Sequence, residues 1–127
     1  MIRTPLDPAT VPKPAGGYTQ AMHVAEASRW LFVSGQIPVS ASGAVPAEFG
    51  AQCTLVWQHV TATLKAARMD VTNLVKVTTY LSDRQYRAMN SKIREEVLGA
   101  HAPALTVIIC DIYAESWLLE IDAVAVA

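Results

Sequence analysis

The chain contains 127 residues, 52% of them hydrophobic and 17% charged, with a formal net charge of −1. This length suits one domain, residues 1–127, with one core, and the apolar content excludes intrinsic disorder. The near-neutral charge offers no broad attraction for nucleic acids or anionic membranes, so we expect neither as a partner. No apolar run is long enough for a membrane-spanning helix and no signal-peptide pattern is present, which predicts a cytoplasmic protein.

The N-terminal segment is rich in residues that interrupt regular structure, namely Pro5, Pro8, Pro12, Pro14, Gly16 and Gly17. Because proline lacks a backbone N–H and ordered glycine loses much entropy, we predict an extended arm as far as about Tyr18. Two short apolar runs follow at residues 21–26 and 30–36, separated by only three residues. This spacing predicts two strands joined as a hairpin. Residues 38–46 then predict a loop.

Two helices are predicted from apolar side chains that recur at steps of three and four. The first covers residues 48–68, and its apolar face contains Phe49, Cys53, Val56, Trp57, Val60 and Leu64. The second covers about residues 83–98, where Ser82 and Gln85 fit a capping box at the start. Its apolar stripe contains Tyr86, Met89, Ile93 and Val97.

Three further strands are predicted, at residues 75–81, 105–110 and 118–126. In the first of them the face predicted to be buried contains Val75, Val77, Thr79 and Leu81. The resulting order, ββαβαββ, is typical of layers in which both helices cover one face of a mixed sheet. The opposite face then stays uncovered, and an apolar uncovered face favours self-association.

Several familiar kinds of site are not predicted. His23, His59 and His101 lie in different elements, without the close spacing usual for zinc ligands, so we expect no metal. Cys53 and Cys110 lie in apolar segments, which favours buried structural thiols over reactive or paired ones. The glycine pair precedes a strand and not a helix, so a phosphate-binding loop is not indicated.

The second predicted helix has a basic side made of Arg84, Arg87, Lys92 and Arg94. Two acidic residues, Glu95 and Glu96, interrupt this side, and no aromatic side chains alternate with the basic ones. Nucleic-acid binding usually needs both continuous charge and stacking groups, so we predict a solvated helix face.

Two carboxyls interrupt the last predicted strand. Glu120 and Asp122 project from the same face, roughly 6 to 7 Å apart along the strand. A carboxyl in an apolar strand is costly to bury unless it is hydrogen-bonded or borders a water-filled cleft, and partial burial raises its pKa toward the range useful for proton transfer. These residues alone leave two interpretations open, a functional carboxyl and a polar sheet edge.

Several short sequence blocks along nearly the whole chain form a set that matches one known family. The central block is Ser34-Gly35-Gln36-Ile37-Pro38, which is similar to the SGQIP signature of the RidA/YjgF family of reactive-intermediate deaminases. Residues 17–20 (GYTQ) resemble its GPY-x-Q block, and residues 75–81 (VKVTTYL) resemble its central strand. Asn90 stands where the family's helix asparagine is expected, and residues 120–125 (EIDAVA) resemble its EIEAIA block.

This resemblance implies a chorismate-mutase-like α+β fold with a six-stranded mixed sheet, two helices on one face, and a homotrimer with clefts between subunits. It also implies hydrolysis of small enamines or imines to keto acids and ammonia, without a metal or organic cofactor. In the family an arginine holds the substrate carboxylate, and a glutamate on the last strand positions the attacking water. Carried over to this chain, Glu120 takes the catalytic role, and the implied substrate-binding residues are Tyr18, Ser34, Gly35, Asn90, Leu105 and Val107.

The chain departs from the family at the arginine. The family's PAR block is Pro103-Ala104-Leu105 here, so an apolar side chain replaces a guanidinium that can bind a carboxylate through two hydrogen bonds. Losing such a contact typically costs about 10²- to 10³-fold in affinity or rate. No base occurs at positions 104–110, and the helix arginines are predicted to face solvent. We therefore expect a ligand without a carboxylate at this point, or an apolar ligand.

Two functions of different classes follow. The first is a variant enzyme that hydrolyses or rearranges a small imine, enamine or related reactive metabolite, using Glu120 and an ordered water. The alternative is a non-catalytic trimer that binds a small molecule or has a structural role, because Leu105, Val107 and Ile109 make one strand face apolar. The family's older name, L-PSP endoribonuclease, suggests ribonuclease activity. This sequence offers no catalytic pair and no basic groove for that activity.

Overall fold

The computed structural model describes all of residues 1–127 and contains two α-helices and six strands, an α+β fold. The elements in chain order are β1 (Ile2–Leu6), β2 (Ala21–Ala25), β3 (Trp30–Gln36), α1 (Phe49–Ala66), β4 (Leu74–Leu81), α2 (Arg87–Leu98), β5 (Ala104–Ile109) and β6 (Leu119–Val126). Single 3₁₀ turns at Val71–Asn73 and Arg84–Tyr86 precede β4 and α2. Both helices and the five strands predicted from residue patterns are therefore present. Neither helix is long and apolar enough to cross a membrane.

The six strands are divided between a four-stranded and a two-stranded sheet. The larger sheet has the order β3-β6-β4-β5 and is mixed, because β4 and β5 run parallel while the other pairs are antiparallel. The smaller sheet joins β1 to β2. One parallel bridge between Thr19 and Ala104 connects the N-terminal segment to the edge of β5, so the two sheets are nearly continuous.

The N-terminal predictions were wrong in two respects. The predicted hairpin between residues 21–26 and 30–36 does not form, since β2 pairs with β1 and β3 pairs with β6. The backbone N–H groups of Ser28 and Arg29 both donate to the carbonyl of Ala127, which directs β3 onto the C-terminal strand. The arm is also not free of regular structure, because residues 2–6 form β1. Proline is tolerated there because β1 is an edge strand.

The hydrophobic core lies between α1 and the larger sheet. The fully buried residues of α1 include Cys53, Val56, Val60 and Leu64, as its periodicity predicts. Alternate residues of β6 face them, namely Leu119, Ile121, Ala123 and Ala125. On β4 the predicted face is also buried. The other face of this sheet, which we call the open face, carries Phe32 with 74% of its surface exposed and Trp30 stacked beside it.

The second helix differs from its prediction in its start and in its buried face. Asp83, and not Ser82, caps the turn at Arg84–Tyr86, because its carboxylate accepts a hydrogen bond from the N–H of Gln85 at 2.8 Å. Met89 was predicted to be buried but is 46% exposed. The residues of α2 that are buried are Asn90, Ile93, Arg94 and Leu98. The buried face of the helix therefore includes Ile93 from the predicted stripe and extends to the polar residues Asn90 and Arg94.

Candidate functional site

A cleft of about 580 Å³ lies between α2, β5 and the segment that leads into β2. Three of the residues implied by the family resemblance line it, namely Tyr18, Leu105 and Val107. We call this opening the α2 cleft. Leu105 and Val107 reach it because they pair with Val77 and Thr79 of β4, whose side chains are buried on the helix-covered face. Laterally paired residues of neighbouring strands share a face.

Gly16 lines the α2 cleft, and Gly17 beside it lies close to two charged side chains of α2. Gly16 and Gly17 have φ angles of +136° and +71°, which L side chains rarely adopt. A Cβ on Gly17 would lie 3.2 Å from Oε1 of Glu95 and 3.6 Å from Nη2 of Arg94. The backbone conformation therefore favours glycine at both positions, and at Gly17 the close approach of Glu95 leaves little room for a side chain.

Arg94 is the main departure from the sequence prediction at this site. The residue was predicted to face solvent, and Arg84 and Arg87 do, but only 5% of the surface of Arg94 is exposed. Its side chain lines the α2 cleft together with Leu105. The Nε atom is buried without a hydrogen-bond partner. Burial lowers the pKa of the guanidinium, and the nearby Glu95 carboxylate partly opposes this effect.

Asn90 lies one helical turn before Arg94 on the same buried side of α2. The residue is 1% exposed, and its Oδ1 atom has no hydrogen-bond partner. Asn90 is not itself a wall of the α2 cleft, whereas Ser91 and Arg94 are. The structure thus places this predicted binding residue beneath the cleft. The i to i+4 spacing from Asn90 was a sequence signal that could have indicated an inward-facing Arg94.

A second cluster contains the other predicted residues, Ser34, Gly35 and Glu120, and we call it the β6 cluster. A Cβ on Gly35 would lie only 2.5 Å from Oε2 of Glu120 and 2.7 Å from its Cδ. The absence of a side chain at Gly35 therefore allows the Glu120 carboxylate to lie against the β3 backbone. Ser34 is exposed beside it, and its carbonyl accepts a hydrogen bond from the side chain of Gln36 at 3.0 Å.

The two carboxyls of β6 have different surroundings. Asp122 accepts a hydrogen bond of 2.8 Å from the hydroxyl of Tyr80 on the neighbouring strand. This hydrogen bond, with some burial, raises the pKa of Tyr80. Glu120 accepts no such bond within the chain and is half-buried beside Gly35. Of the two carboxyls, Glu120 is therefore the one available to a ligand or a water molecule.

The α2 cleft and the β6 cluster lie on opposite faces of the same sheet. Thr79 pairs with Ile121 on one side and Val107 on the other, so these side chains share the helix-covered face. The next residue, Tyr80, pairs with Glu120 and Ile108, which share the open face. Because alternate residues of a strand point to opposite faces, one chain cannot bring Glu120 to Val107. The predicted site residues form two half-sites.

The remaining candidate groups have structural surroundings. Cys53 is fully buried in the core, where burial raises its pKa to about 12, and Cys110 is half-buried; neither forms a disulfide. His59 and His101 each contact a backbone carbonyl through Nε2, at 2.8 and 2.7 Å. No three side chains of metal-binding type lie together.

Comparison with known proteins agrees with this architecture. The model of the family described as Endoribonuclease L-PSP matches residues 9–127. The chain belongs to the RidA/YjgF family. A RutC family protein of Pyrococcus horikoshii is 32% identical over 116 residues, covering 90% of each chain. A rat protein named 2-iminobutanoate/2-iminopropanoate deaminase is 29% identical over 128 residues, covering 99% of this chain and 91% of the relative.

Solved structures of this family share the fold over almost the whole chain. A Rid family protein of unknown function from Yersinia pestis superposes with a TM-score of 0.86 at 23% identity, covering all of both chains. The Escherichia coli protein TdcF, solved with bound serine, gives a TM-score of 0.73 at 26% identity, covering 98% of each chain. The α+β fold with two helices and a mixed sheet is therefore that of the Rid proteins.

Proposed function

We propose that the protein hydrolyses a small imine or enamine in a cleft that two subunits of a homotrimer complete together. The observation that carries the proposal is the position of Glu120, whose carboxylate lies against Gly35 on the open face without an internal partner. The name of the rat relative, an imine deaminase, supports the reaction class. The proposed substrate-binding residues are Tyr18, Ser34, Gly35, Asn90, Leu105 and Val107.

The division into half-sites supports a cleft between subunits. Each chain carries Tyr18, Leu105 and Val107 on one side of the sheet and Glu120 on the other. The open face also exposes Trp30 and Phe32, which makes it a surface suited to association. In a cyclic trimer the open face of one chain meets the edge of the next, so that the α2 cleft of one subunit faces the β6 cluster of its neighbour.

The chemistry requires one carboxylate and one water molecule. The imine reacts in its protonated form, and Glu120 accepts a proton from the water as the water oxygen attacks the carbon of the C=N bond. The resulting tetrahedral carbon carries a hydroxyl and an amino group. Glu120 then gives its proton to the amino nitrogen and takes the hydroxyl proton as the C–N bond breaks, so that a carbonyl compound and ammonia leave. Release of the proton from Glu120 to solvent restores the carboxylate. An enamine enters the same route after protonation at carbon gives the imine.

The proposal is tested with imines generated in place from serine or threonine by a dehydratase, whose decay is followed by semicarbazide trapping. Wild-type protein should accelerate the loss of the imine, and Glu120→Gln should abolish this acceleration by removing the base. Asp122→Asn is the matched control on the same strand face and should retain turnover, because Asp122 is engaged by Tyr80. Loss of turnover in Asp122→Asn with normal turnover in Glu120→Gln would contradict the assignment.

A second candidate is a trimer that binds a small molecule without transforming it. The apolar Leu105 and Val107 in the α2 cleft favour this alternative, since apolar walls with few polar groups are typical of binding pockets. Ligand binding without turnover, unchanged in Glu120→Gln, would support it in place of the enzyme.

A further inference from the structure

Arg94 presents a buried guanidinium that the chain satisfies only in part. Only 5% of the surface of Arg94 is exposed, and its Nε atom has no hydrogen-bond partner. Glu95 is the nearby opposite charge, and it compensates the burial of the guanidinium only in part. A buried guanidinium that is incompletely paired is unfavourable by itself, and because this one borders a cleft it is a candidate for binding an anion.

The surroundings of Arg94 direct it into the α2 cleft. Nη2 comes within 3.6 Å of the place where a Cβ on Gly17 would stand, so the guanidinium lies against Gly17. Leu105, which occupies the family's arginine position, lines the same cleft. An arginine at position 105 would therefore reach the same cleft from strand β5 that Arg94 reaches from helix α2.

We infer that Arg94 binds the substrate carboxylate in the α2 cleft, taking over from helix α2 the contact that an arginine at position 105 would make. The inference rests on the proposed function and names its substrate class, small 2-imino acids and the enamines that give rise to them. A planar guanidinium offers a carboxylate two parallel hydrogen bonds. This inference is the opposite of the expectation, based on Leu105, that the ligand lacks a carboxylate at this point.

Glu95 restricts the substrate class further. Its carboxylate lines the same cleft, and its Oε1 atom lies beside Gly16 and Gly17. A second negative charge on the substrate would be repelled by Glu95. The arrangement of one arginine and one glutamate therefore selects monocarboxylates over dicarboxylates.

The test measures binding, so that it does not depend on turnover. The stable probe is 2-oxobutanoate, compared with its uncharged amide, 2-oxobutanamide, by titration calorimetry of the assembled protein. Wild type should bind the acid at least about tenfold more tightly than the amide. Arg94→Met should weaken binding of the acid by about 10²-fold and change binding of the amide little, with Arg94→Lys in between. Arg87→Met is the matched control, an exposed arginine of the same helix, and should bind like wild type.

The stability of Arg94→Met separates a binding role from a structural one. Removing an incompletely paired buried charge should raise the melting temperature of the ligand-free protein, and saturating 2-oxobutanoate should raise that of wild type only. The double variant Arg94→Met/Leu105→Arg returns a guanidinium to the cleft from the strand and should recover binding of the acid.

Two results would overturn the inference. One is equal affinity of wild type for acid and amide; the other is a lower melting temperature in Arg94→Met with unchanged binding of the acid. The proposed function would still hold after either result if imines without a carboxylate were hydrolysed in a manner that depends on Glu120. Conversely, binding of the acid that depends on Arg94, without turnover of any imine, supports this inference and rejects the enzyme.

Discussion

At the scale of single residues, Gly35 determines where the Glu120 carboxylate can lie. We expect Gly35→Ala to displace that carboxylate, because the new Cβ would lie 2.5 Å from Oε2. The φ angle of Gly35 is outside the left-handed region, and the clashing atoms are the end of a flexible side chain, so stability should change by less than about 1 kcal/mol. Turnover should fall by about 10²-fold, as for other small misplacements of catalytic groups.

The measurement combines imine-hydrolysis kinetics with urea denaturation. Gly50→Ala is the matched control, because a Cβ there meets nothing within 4 Å and a helical alanine is favoured over glycine. Turnover that is normal in Gly35→Ala would show that Glu120 need not lie against the β3 backbone.

Cys53 provides a second prediction at this scale, one that depends on pH. Burial raises its pKa from 9.0 to about 12 in the folded chain. Because the unfolded thiol loses its proton first, this contribution to stability is complete below pH 9 and is lost as pH rises toward 12. The loss is about 1.4 kcal/mol for each pH unit in that range. The Cys53→Ala variant should not lose stability in this way, although all its other titrating groups are those of the wild type.

The check is urea denaturation of both proteins between pH 8 and 11. The difference in their free energies of unfolding should stay constant up to about pH 9 and then shrink. Curves that remain parallel would mean that the folded thiol titrates normally.

At the scale of secondary structure, the second helical segment has two candidate capping residues at its start, Ser82 and Asp83. Asp83 accepts the N–H of Gln85, whereas the sequence predicted Ser82 for this role. We expect Asp83→Ala to lower the free energy of unfolding by about 1 kcal/mol, a usual value for a lost cap. Ser82→Ala should stay within about 0.5 kcal/mol of wild type. Urea denaturation of both variants measures this, and the reverse order would restore the capping box as predicted.

The periodic elements could be predicted from the sequence, and their partners could not. Apolar residues recur at steps of three and four in α1 and alternate in β4. Each pattern predicts one buried face, and those faces are buried in the structure. Pairing is a property of the whole chain. The short spacing between β2 and β3 favoured a hairpin, but the carbonyl of Ala127, far away in the sequence, accepts hydrogen bonds from the N–H groups of the two residues just before β3.

The place of Arg94 in the α2 cleft was missed because apolar periodicity marks only faces that are buried against apolar groups. The stripe through Met89 indicated one orientation of α2, while Asn90 and Arg94 are buried beside it on the polar side. A helix that borders a binding cleft can also bury polar groups beside its apolar stripe, and apolar periodicity does not indicate those. The family resemblance supplied Asn90, and from Asn90 a four-residue step leads to Arg94.

At the scale of the whole molecule, the open face accounts for the trimer that we propose. Phe32 is 74% exposed and Trp30 stacks beside it, with ring centroids 6.4 Å apart. We expect sedimentation equilibrium at micromolar concentration to give three times the 13.7 kDa of one chain. Phe32→Glu should yield monomers, because association would bury its charge without a partner.

Met89→Glu is the matched control, an exposed apolar residue on the helix-covered side, and should leave the wild-type mass unchanged. A monomeric wild-type protein would contradict the trimer and, with it, the cleft between subunits. A trimeric Phe32→Glu would show that another surface mediates association.

The placement of Arg94 and Glu120 on opposite faces of one sheet has a genetic consequence. In the proposed trimer each chain contributes to two clefts, one through each face, so a chain that carries Glu120→Gln still supplies an intact Arg94 to its neighbour. Two alleles that are each inactive alone, Arg94→Met and Glu120→Gln, should therefore restore part of the activity when expressed together. A chain that carries both changes disrupts two of the three clefts in any trimer that contains it. The allele that encodes this chain should therefore act as a dominant inhibitor of the normal gene.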